Sequence, residues 1–151
     1  MRQHQYSVLQ VLVVVSLVIS TATSLRSAGR ALAVIQECAG GVPESPSWSS
    51  TRLWLLRVGY YKLTRAKEQG EDWVWIVDHV VQVGQEKCLL IVGSRLSALP
   101  VAGAYLTHRD VEPIALCPVT QSNGEIVYQQ LEAARKQTGV PREILSDQGS
   151  D

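Results

Sequence analysis

Two aspartates stand in segments whose other residues favour β-strands. Asp78 lies in the middle of WVWIVDHVVQV (73–83), and Asp147 directly follows EILS (143–146). A lone carboxylate among apolar neighbours is costly unless it is paired, protonated or bound to a metal. Two carboxylates held close together repel each other, and a divalent cation that prefers oxygen ligands removes this conflict. Asp78 and Asp147 are therefore candidate ligands of Mg²⁺ or Mn²⁺, ions that can activate a hydroxyl group for phosphodiester chemistry.

The order of the predicted elements would bring these two aspartates together. The expected elements are strands at 73–83, 87–92, 111–119 and 143–146, with a helix from Gly124 to Gly139 between the last two strands. The first strand is β-branched and aromatic on both faces, which predicts a central strand that is covered on both sides. A strand that follows a crossover helix tends to lie parallel to another strand of the same sheet. The fourth strand is therefore expected beside the first, with Asp147 near Asp78.

The first 59 residues are predicted to be helical. Capping residues, proline and glycine indicate three helices: one over the apolar run 8–19, one from Ser24 to the glycines at 40 and 41, and one from Ser45–Pro46 to Gly59. The third helix is expected to bury Trp48, Trp54, Leu55 and Leu56. Three short helices of this kind form the plan of a helix-turn-helix DNA-binding unit, although the connection between the second and third is long for that motif.

Several arginines and serines could contact DNA. Arg26 and Arg30 lie opposite the apolar side of the second helix, and the third helix offers Ser49, Ser50, Arg52 and Arg57. Hydroxyl and guanidinium groups bind phosphate oxygens and base edges. An alternative interpretation is a three-helix packing unit with a solvated basic face.

The run VLQVLVVVSLVI (8–19) allows two interpretations. Arg2 precedes it and small residues follow it, as in a secretory signal peptide or a membrane-tethering segment. However, it is shorter than the ~20 apolar residues of a membrane span, and helical apolar spacing continues in the next segment. The second interpretation is therefore a buried core helix.

Charge is distributed unevenly along a chain of 151 residues with no net charge. Residues 1–70 hold eight basic and three acidic side chains, whereas residues 71–151 hold six basic and eleven acidic ones. This asymmetry favours polyanion binding by the first part and cation binding by the second. A hydrophobic fraction of 46% excludes a wholly disordered chain. Three widely spaced cysteines cannot form a closed disulfide framework, which indicates a reducing, cytoplasmic compartment.

Two segments resemble the catalytic core of DDE-type transposases and retroviral integrases. ILSDQGSD (144–151) resembles the S-D-N-G-S-E signature of that core, and WIVDHV (75–80) resembles its first catalytic strand. The resemblance implies a ribonuclease H-like fold in which Asp78 and Asp147 are the first and second catalytic aspartates and ligands of Mg²⁺ or Mn²⁺. The family's third carboxylate, on a later helix, has no counterpart here, and residues 94–110 look like an insertion. The resemblance therefore implies a fragment that is inactive alone.

The expected fold is α/β. It consists of a helix-turn-helix-like DNA-binding unit (1–59), a linker (60–72) and a truncated ribonuclease H-like core (73–151) with a mixed sheet and a crossover helix. The resemblance implies a DNA-recombination protein whose partner is double-stranded DNA at the ends of a mobile element. A homo-oligomer is left open, and no small-molecule substrate is expected. The alternatives are a DNA-binding or regulatory module in which Asp78 is structural, and a secreted or membrane-tethered protein.

Overall fold

A computed structural model describes residues 5–83, 86–99, 106–107, 110–120 and 123–146, with only the backbone of 80–83 and 86. Within these residues the fold is mixed α/β. The elements are α1 (Val8–Thr21), α2 (Leu25–Cys38), α3 (Trp48–Thr64), β1 (Trp73–Val83), β2 (Glu86–Arg95), a 3₁₀ turn (Leu96–Ala98), β3 (Glu112–Val119), α4 (Gly124–Thr138) and β4 (Glu143–Ser146). The chain divides into two compact units, Met1–Tyr61 and Lys62–Asp151.

The first unit contains a pair of helices with a small apolar core. The Ser7 side chain caps α1 by accepting a hydrogen bond from the backbone N–H of Gln10, which completes a capping box. Ser24 caps α2 in the predicted way, by accepting from the backbone N–H of Ser27 at 3.2 Å. The core consists of the buried side chains Val14, Ala28 and Leu32, with Val13, Leu17, Val18 and Trp54 packed around them.

Helix α1 is only partly buried. Val14 and Val15 are buried, whereas Val8, Leu9 and Leu12 are exposed. The expectation of a buried core helix is therefore correct for part of α1 and wrong for the rest. No helix among the described residues is long and apolar enough to cross a membrane.

Helix α3 differs from its predicted limits at both ends. It begins at Trp48, and its first turn is capped by Ser47, whose hydroxyl accepts from the backbone N–H of Ser50 at 3.1 Å. The predicted end at Gly59 is wrong, because the helix continues to Thr64. A Cβ atom at Gly59 would meet nothing within 4 Å, so this glycine is an ordinary helical residue rather than a stop signal. The expected linker at 60–72 therefore begins inside α3.

The second unit is a four-stranded mixed sheet in the order β3-β2-β1-β4. β1 pairs antiparallel with β2, and β2 pairs antiparallel with β3. β4 follows α4 and lies parallel to β1, as the crossover argument predicts. The predicted strands β1 and β4 have the predicted limits, and α4 begins at Gly124 and ends just before its cap Gly139.

One face of the sheet carries the core of the second unit. Its buried side chains are Trp73, Trp75, Val77, Leu89, Ile91, Ile114, Ala115 and Ala134. The residues of β1 in this set alternate along the strand, and Ala134 belongs to α4, with Val127 and Leu131 packed beside it. The helix therefore covers one face of the sheet.

The two edge strands of the described sheet differ in character. β3 includes Pro113 and Pro118, each of which lacks a backbone N–H. β4 is four residues long, and all of its residues are exposed.

Ion pairs fix the loops that lead into the sheet. The ammonium group of Lys67 lies 3.2 Å from a carboxylate oxygen of Glu112, and the Lys67 side chain is fully buried. Arg65 pairs with the same oxygen at 3.0 Å. Arg95, the last residue of β2, pairs with Asp72. Its guanidinium carbon lies over the Trp73 ring, 5.5 Å from the ring centroid.

Candidate functional site

Asp78 lies in β1 on the face of the sheet that α4 does not cover. The side chains of Trp73, Trp75 and Val77 point to the core, so the alternation of the strand places Asp78 on the opposite face. Its Cα partner on β2 is Leu90. Asp78 is exposed to solvent, and the prediction of a strand covered on both sides is therefore wrong.

The surface around Asp78 is apolar and partly accessible. Leu116 is 48% exposed and Leu145 is 46% exposed. Leu145 is the Cα partner of Ile76, and Leu116 is the Cα partner of Leu90, so these four side chains share the face of Asp78. Glu143, the Cα partner of Val74, lies on this face too, so Asp78 and Glu143 are two exposed carboxylates on an otherwise largely apolar part of the described sheet face.

The register between β1 and β4 determines which residues adjoin Asp78. The parallel pairs run from Val74 with Glu143 to Val77 with Ser146. Asp78 follows Val77 directly. Asp147 follows Ser146 in the sequence and lies outside the described residues.

Of the two aspartates proposed as metal ligands, only Asp78 lies among the described residues. Within these residues, no group of three or more histidine, cysteine, aspartate or glutamate side chains could hold a metal ion. Asp78 is an accessible oxygen donor of the kind that Mg²⁺ and Mn²⁺ prefer. One carboxylate leaves most coordination positions of such an ion to water or to other ligands.

Nothing matches. No family model, no curated protein and no solved structure matches this chain. The resemblance to transposases therefore depends only on the two short segments and on the order of the elements.

The candidate DNA-binding residues of α2 lie on one side of the helix. Arg26 and Arg30 are four residues apart, which places them about 40° from each other around the helix axis. Both are exposed, and Ala28 and Leu32 of the same helix are buried. The two guanidinium groups thus form a small basic surface opposite the core, as predicted.

The candidate DNA-binding residues of α3 do not form a polar face. The hydroxyls of Ser49 and Ser50 lie 2.8 and 3.0 Å from the Ser47 hydroxyl, so both belong to the helix cap. Arg52 and Arg57 are exposed, but the exposed Leu53, Leu56 and Tyr60 lie between them around the helix. Trp48 and Leu56 are 49% and 53% exposed, so the prediction that they are buried is wrong, whereas Trp54 and Leu55 are half-buried.

The second unit contains a polar pocket that was not predicted from the sequence. It has a volume of about 270 Å³, and its lining includes Lys62, Arg65, Ser94, Arg95 and Glu112. The Ser94 hydroxyl is buried and makes no hydrogen bond. These residues come from three separate segments, so no local motif indicates the pocket. Its basic and acidic side chains occur together, and this balance favours no particular class of ligand.

Proposed function

We propose that this chain is part of a DNA-recombination protein of the DDE-transposase type. Its first unit binds duplex DNA, and its second unit supplies two metal-binding carboxylates, Asp78 and Asp147. Mg²⁺ or Mn²⁺ is the expected ion, because both prefer carboxylate oxygens. Residues 1–151 match two of the family's three catalytic carboxylates, so the proposal for these residues is metal and DNA binding.

The register between β1 and β4 is the observation that carries the proposal. Val77 and Ser146 are Cα partners in a parallel pair, and each is followed directly by one of the two aspartates. Consecutive Cα atoms are 3.8 Å apart, so the Cα of Asp78 lies at that distance from the Cα of Val77, and Asp147 is the residue after Ser146 in the sequence. The central strand, the crossover helix and the parallel return of β4 also follow the order of elements that the family resemblance implies.

The exposure of Asp78 supports a ligand role over a structural one. In the alternative function, a regulatory module, Asp78 has a structural role, and a structural carboxylate within a sheet is one that the fold buries and pairs. Asp78 is instead exposed on an apolar face, where a charge contributes little to packing. A solvent-accessible carboxylate in the middle of a strand remains free to bind a cation.

Duplex DNA is the proposed partner of the first unit. Arg26 and Arg30 form an exposed basic pair on α2, and this helix has only one acidic residue, Glu37, near its C-terminal end. Pairs of arginines on one helix side suit phosphate contacts. The proposal includes no small-molecule substrate.

Titration of the full chain with Mn²⁺ tests the metal site. We expect the Asp78→Asn, Asp147→Asn double variant to bind Mn²⁺ at least about tenfold more weakly than the wild type in calorimetry, because both anionic ligands are lost. The matched control is Glu125→Gln, Glu132→Gln, which removes two carboxylates from α4 and should leave the affinity unchanged. Equal affinity of the wild type and the aspartate double variant would overturn the two-aspartate site.

A further inference from the structure

The first unit contains an apolar groove between the start of α1 and the middle of α3, which we call the α1–α3 groove. It has a volume of about 690 Å³, and its walls are formed mainly by Tyr6, Val8, Val11, Trp54 and Val58. All of them belong to the compact unit Met1–Tyr61. Sites for small organic ligands are concave, mostly apolar and typically about 300 to 1,000 Å³ in volume. The α1–α3 groove has the size and the lining of such a site.

Other contacts of the first unit hold the walls of the α1–α3 groove in place. The Trp54 side chain packs against the buried core of the unit. The Tyr6 ring meets the Trp54 ring edge-on, with 5.1 Å between the ring centroids and an angle of 76° between the planes. The next residue, Ser7, is fixed by its hydroxyl, which accepts a hydrogen bond from the backbone N–H of Gln10 at 3.2 Å. The groove is therefore formed by contacts within the chain itself.

The lining of the α1–α3 groove includes one charged residue, Arg57. Arg57 is exposed, and it makes no ion pair with any described residue. Residues 1–61 include two acidic residues, Glu37 and Glu44, and neither lines the groove. Glu44 instead accepts a hydrogen bond from the side-chain amide of Gln10 at 3.3 Å. The Arg57 guanidinium group is therefore available to an anionic ligand.

The first turn of α1 adds a partial positive charge on the same groove. Ser7 is the N-cap of α1 and Val8 is its first residue, and both line the groove. The start of a helix carries about half a positive charge, because its first backbone N–H groups have no partner within the helix. This partial charge has the same sign as Arg57. Both therefore favour an anionic group over a neutral or cationic one.

We propose that the α1–α3 groove binds a small amphipathic carboxylic acid in its ionised form, such as a medium-chain fatty acid. The apolar part of the ligand lies against Tyr6, Val8 and Val11, and its carboxylate pairs with Arg57. A guanidinium group can bind a carboxylate through two parallel hydrogen bonds, which fixes the orientation of the ligand. A neutral apolar molecule would leave this group unused, and a cationic one would be repelled by it.

This ligand is bound and not converted, and the proposal is independent of DNA binding. Arg26 and Arg30, the basic pair proposed to contact DNA, do not line the α1–α3 groove. The two activities can therefore be removed separately, by substitutions on α2 and on the groove.

Calorimetric titration of the full chain with decanoate, below its micelle concentration, tests the site. We expect saturable binding with a Kd below about 1 mM, and binding of decylammonium at least about threefold weaker. Arg57→Met should weaken decanoate binding at least about threefold and leave the binding of decanol, which is uncharged, unchanged. The matched control is Arg52→Met. Arg52 is exposed on the same helix, about 140° away from Arg57, and does not line the groove.

A substitution in the wall of the groove locates the site. Val8 is 86% exposed, so Val8→Asp removes no core contact, and an acidic residue at the start of a helix is favourable for the fold. We expect Val8→Asp to weaken decanoate binding at least about tenfold, because a like charge then lies in the groove. Leu12→Asp, at a 59% exposed position of α1 outside the groove, should leave binding unchanged. In the wild type, decanoate should shift the methyl NMR signals of Val8 and Val11.

Several results would overturn the proposal. One is the absence of saturable decanoate binding, and another is an affinity that Arg57→Met does not change. A third is an equal loss of affinity in Arg52→Met and Arg57→Met, because the attraction would then be a general effect of charge. The wild type is also mixed with vesicles of neutral and of anionic lipid, and we expect no binding. Vesicle binding that Val8→Asp abolishes would assign the groove to a lipid surface instead.

Discussion

The substitution Glu112→Gln should leave a buried positive charge without its carboxylate partner. The Lys67 side chain has no solvent exposure, and its ammonium group lies 3.2 Å from Glu112. Its other acceptor is the backbone carbonyl of Lys62. Glutamine keeps the size of the side chain and removes the charge, so the perturbation is electrostatic. Arg65, which pairs with the same carboxylate, is 43% exposed and can be solvated by water instead.

The expected loss follows from the burial of the two partners. Removing one partner of a buried ion pair typically costs about 3 to 5 kcal/mol, because the remaining charge stays desolvated. Glu112 is 23% exposed, so water reaches this pair and reduces the penalty. We expect Glu112→Gln to lower the free energy of unfolding of the second unit by about 2 to 3 kcal/mol. Lys67→Met, Glu112→Gln removes both charges and should cost less than about 1 kcal/mol.

Native-state hydrogen exchange of peptides from β1, β2 and β3 measures the stability of this unit alone. The control Glu132→Gln breaks an exposed pair with Arg135 on α4, and it should cost below about 0.5 kcal/mol. The reasoning is refuted if Glu112→Gln changes protection no more than this control. It is also refuted if the loss is the same with Lys67 present and with methionine in its place.

Two further predictions concern a carboxylate and the basic pair. The pKa of Asp72 is lowered from 3.8 to about 2, mainly by a side-chain hydrogen bond with Ser97 and also by Arg95. Because the pKa of Asp72 is lower in the folded protein, its carboxylate stabilises the fold above pH 3.8, and this contribution is lost as the pH falls towards 2. An NMR titration of the Asp72 carboxyl group with a midpoint near 3.8 would contradict this prediction. The double variant Arg26→Ala, Arg30→Ala should bind duplex DNA more weakly than the wild type. The slope of the logarithm of its association constant against the logarithm of the salt concentration should be smaller in magnitude by about 0.9 per lost phosphate contact. The control Lys136→Ala should change neither the affinity nor the slope.

Much of the fold could be predicted because local signals and packing agree. Gly139 ends α4 with φ of +89°, a backbone conformation that favours glycine, so the residue type indicates the helix end. The alternation of aromatic and β-branched residues from Trp73 marks β1, and the crossover rule places β4 parallel to it. These features depend on the residues within or directly next to each element, which the sequence shows.

Other features depend on what packs against an element, which a single sequence does not specify. β1 is apolar on both faces, so its sequence cannot show that α4 covers the side of Trp75 and leaves Asp78 exposed. α3 has apolar residues all around, so Trp48 and Leu56 could not be separated from Trp54 by pattern alone. Gly59 resembles a stop signal only when the helical residues that follow it are disregarded.

The prolines of β3 make one edge of the described sheet less suited than the other to pairing with a further strand. An additional strand needs donors along the edge that it joins, and Pro113 and Pro118 supply none. The short edge at β4 carries no proline, and its residues are open to solvent. Any strand recruited by this sheet, from this polypeptide or from a neighbour, would thus be added more readily next to Glu143–Ser146 than on the far side.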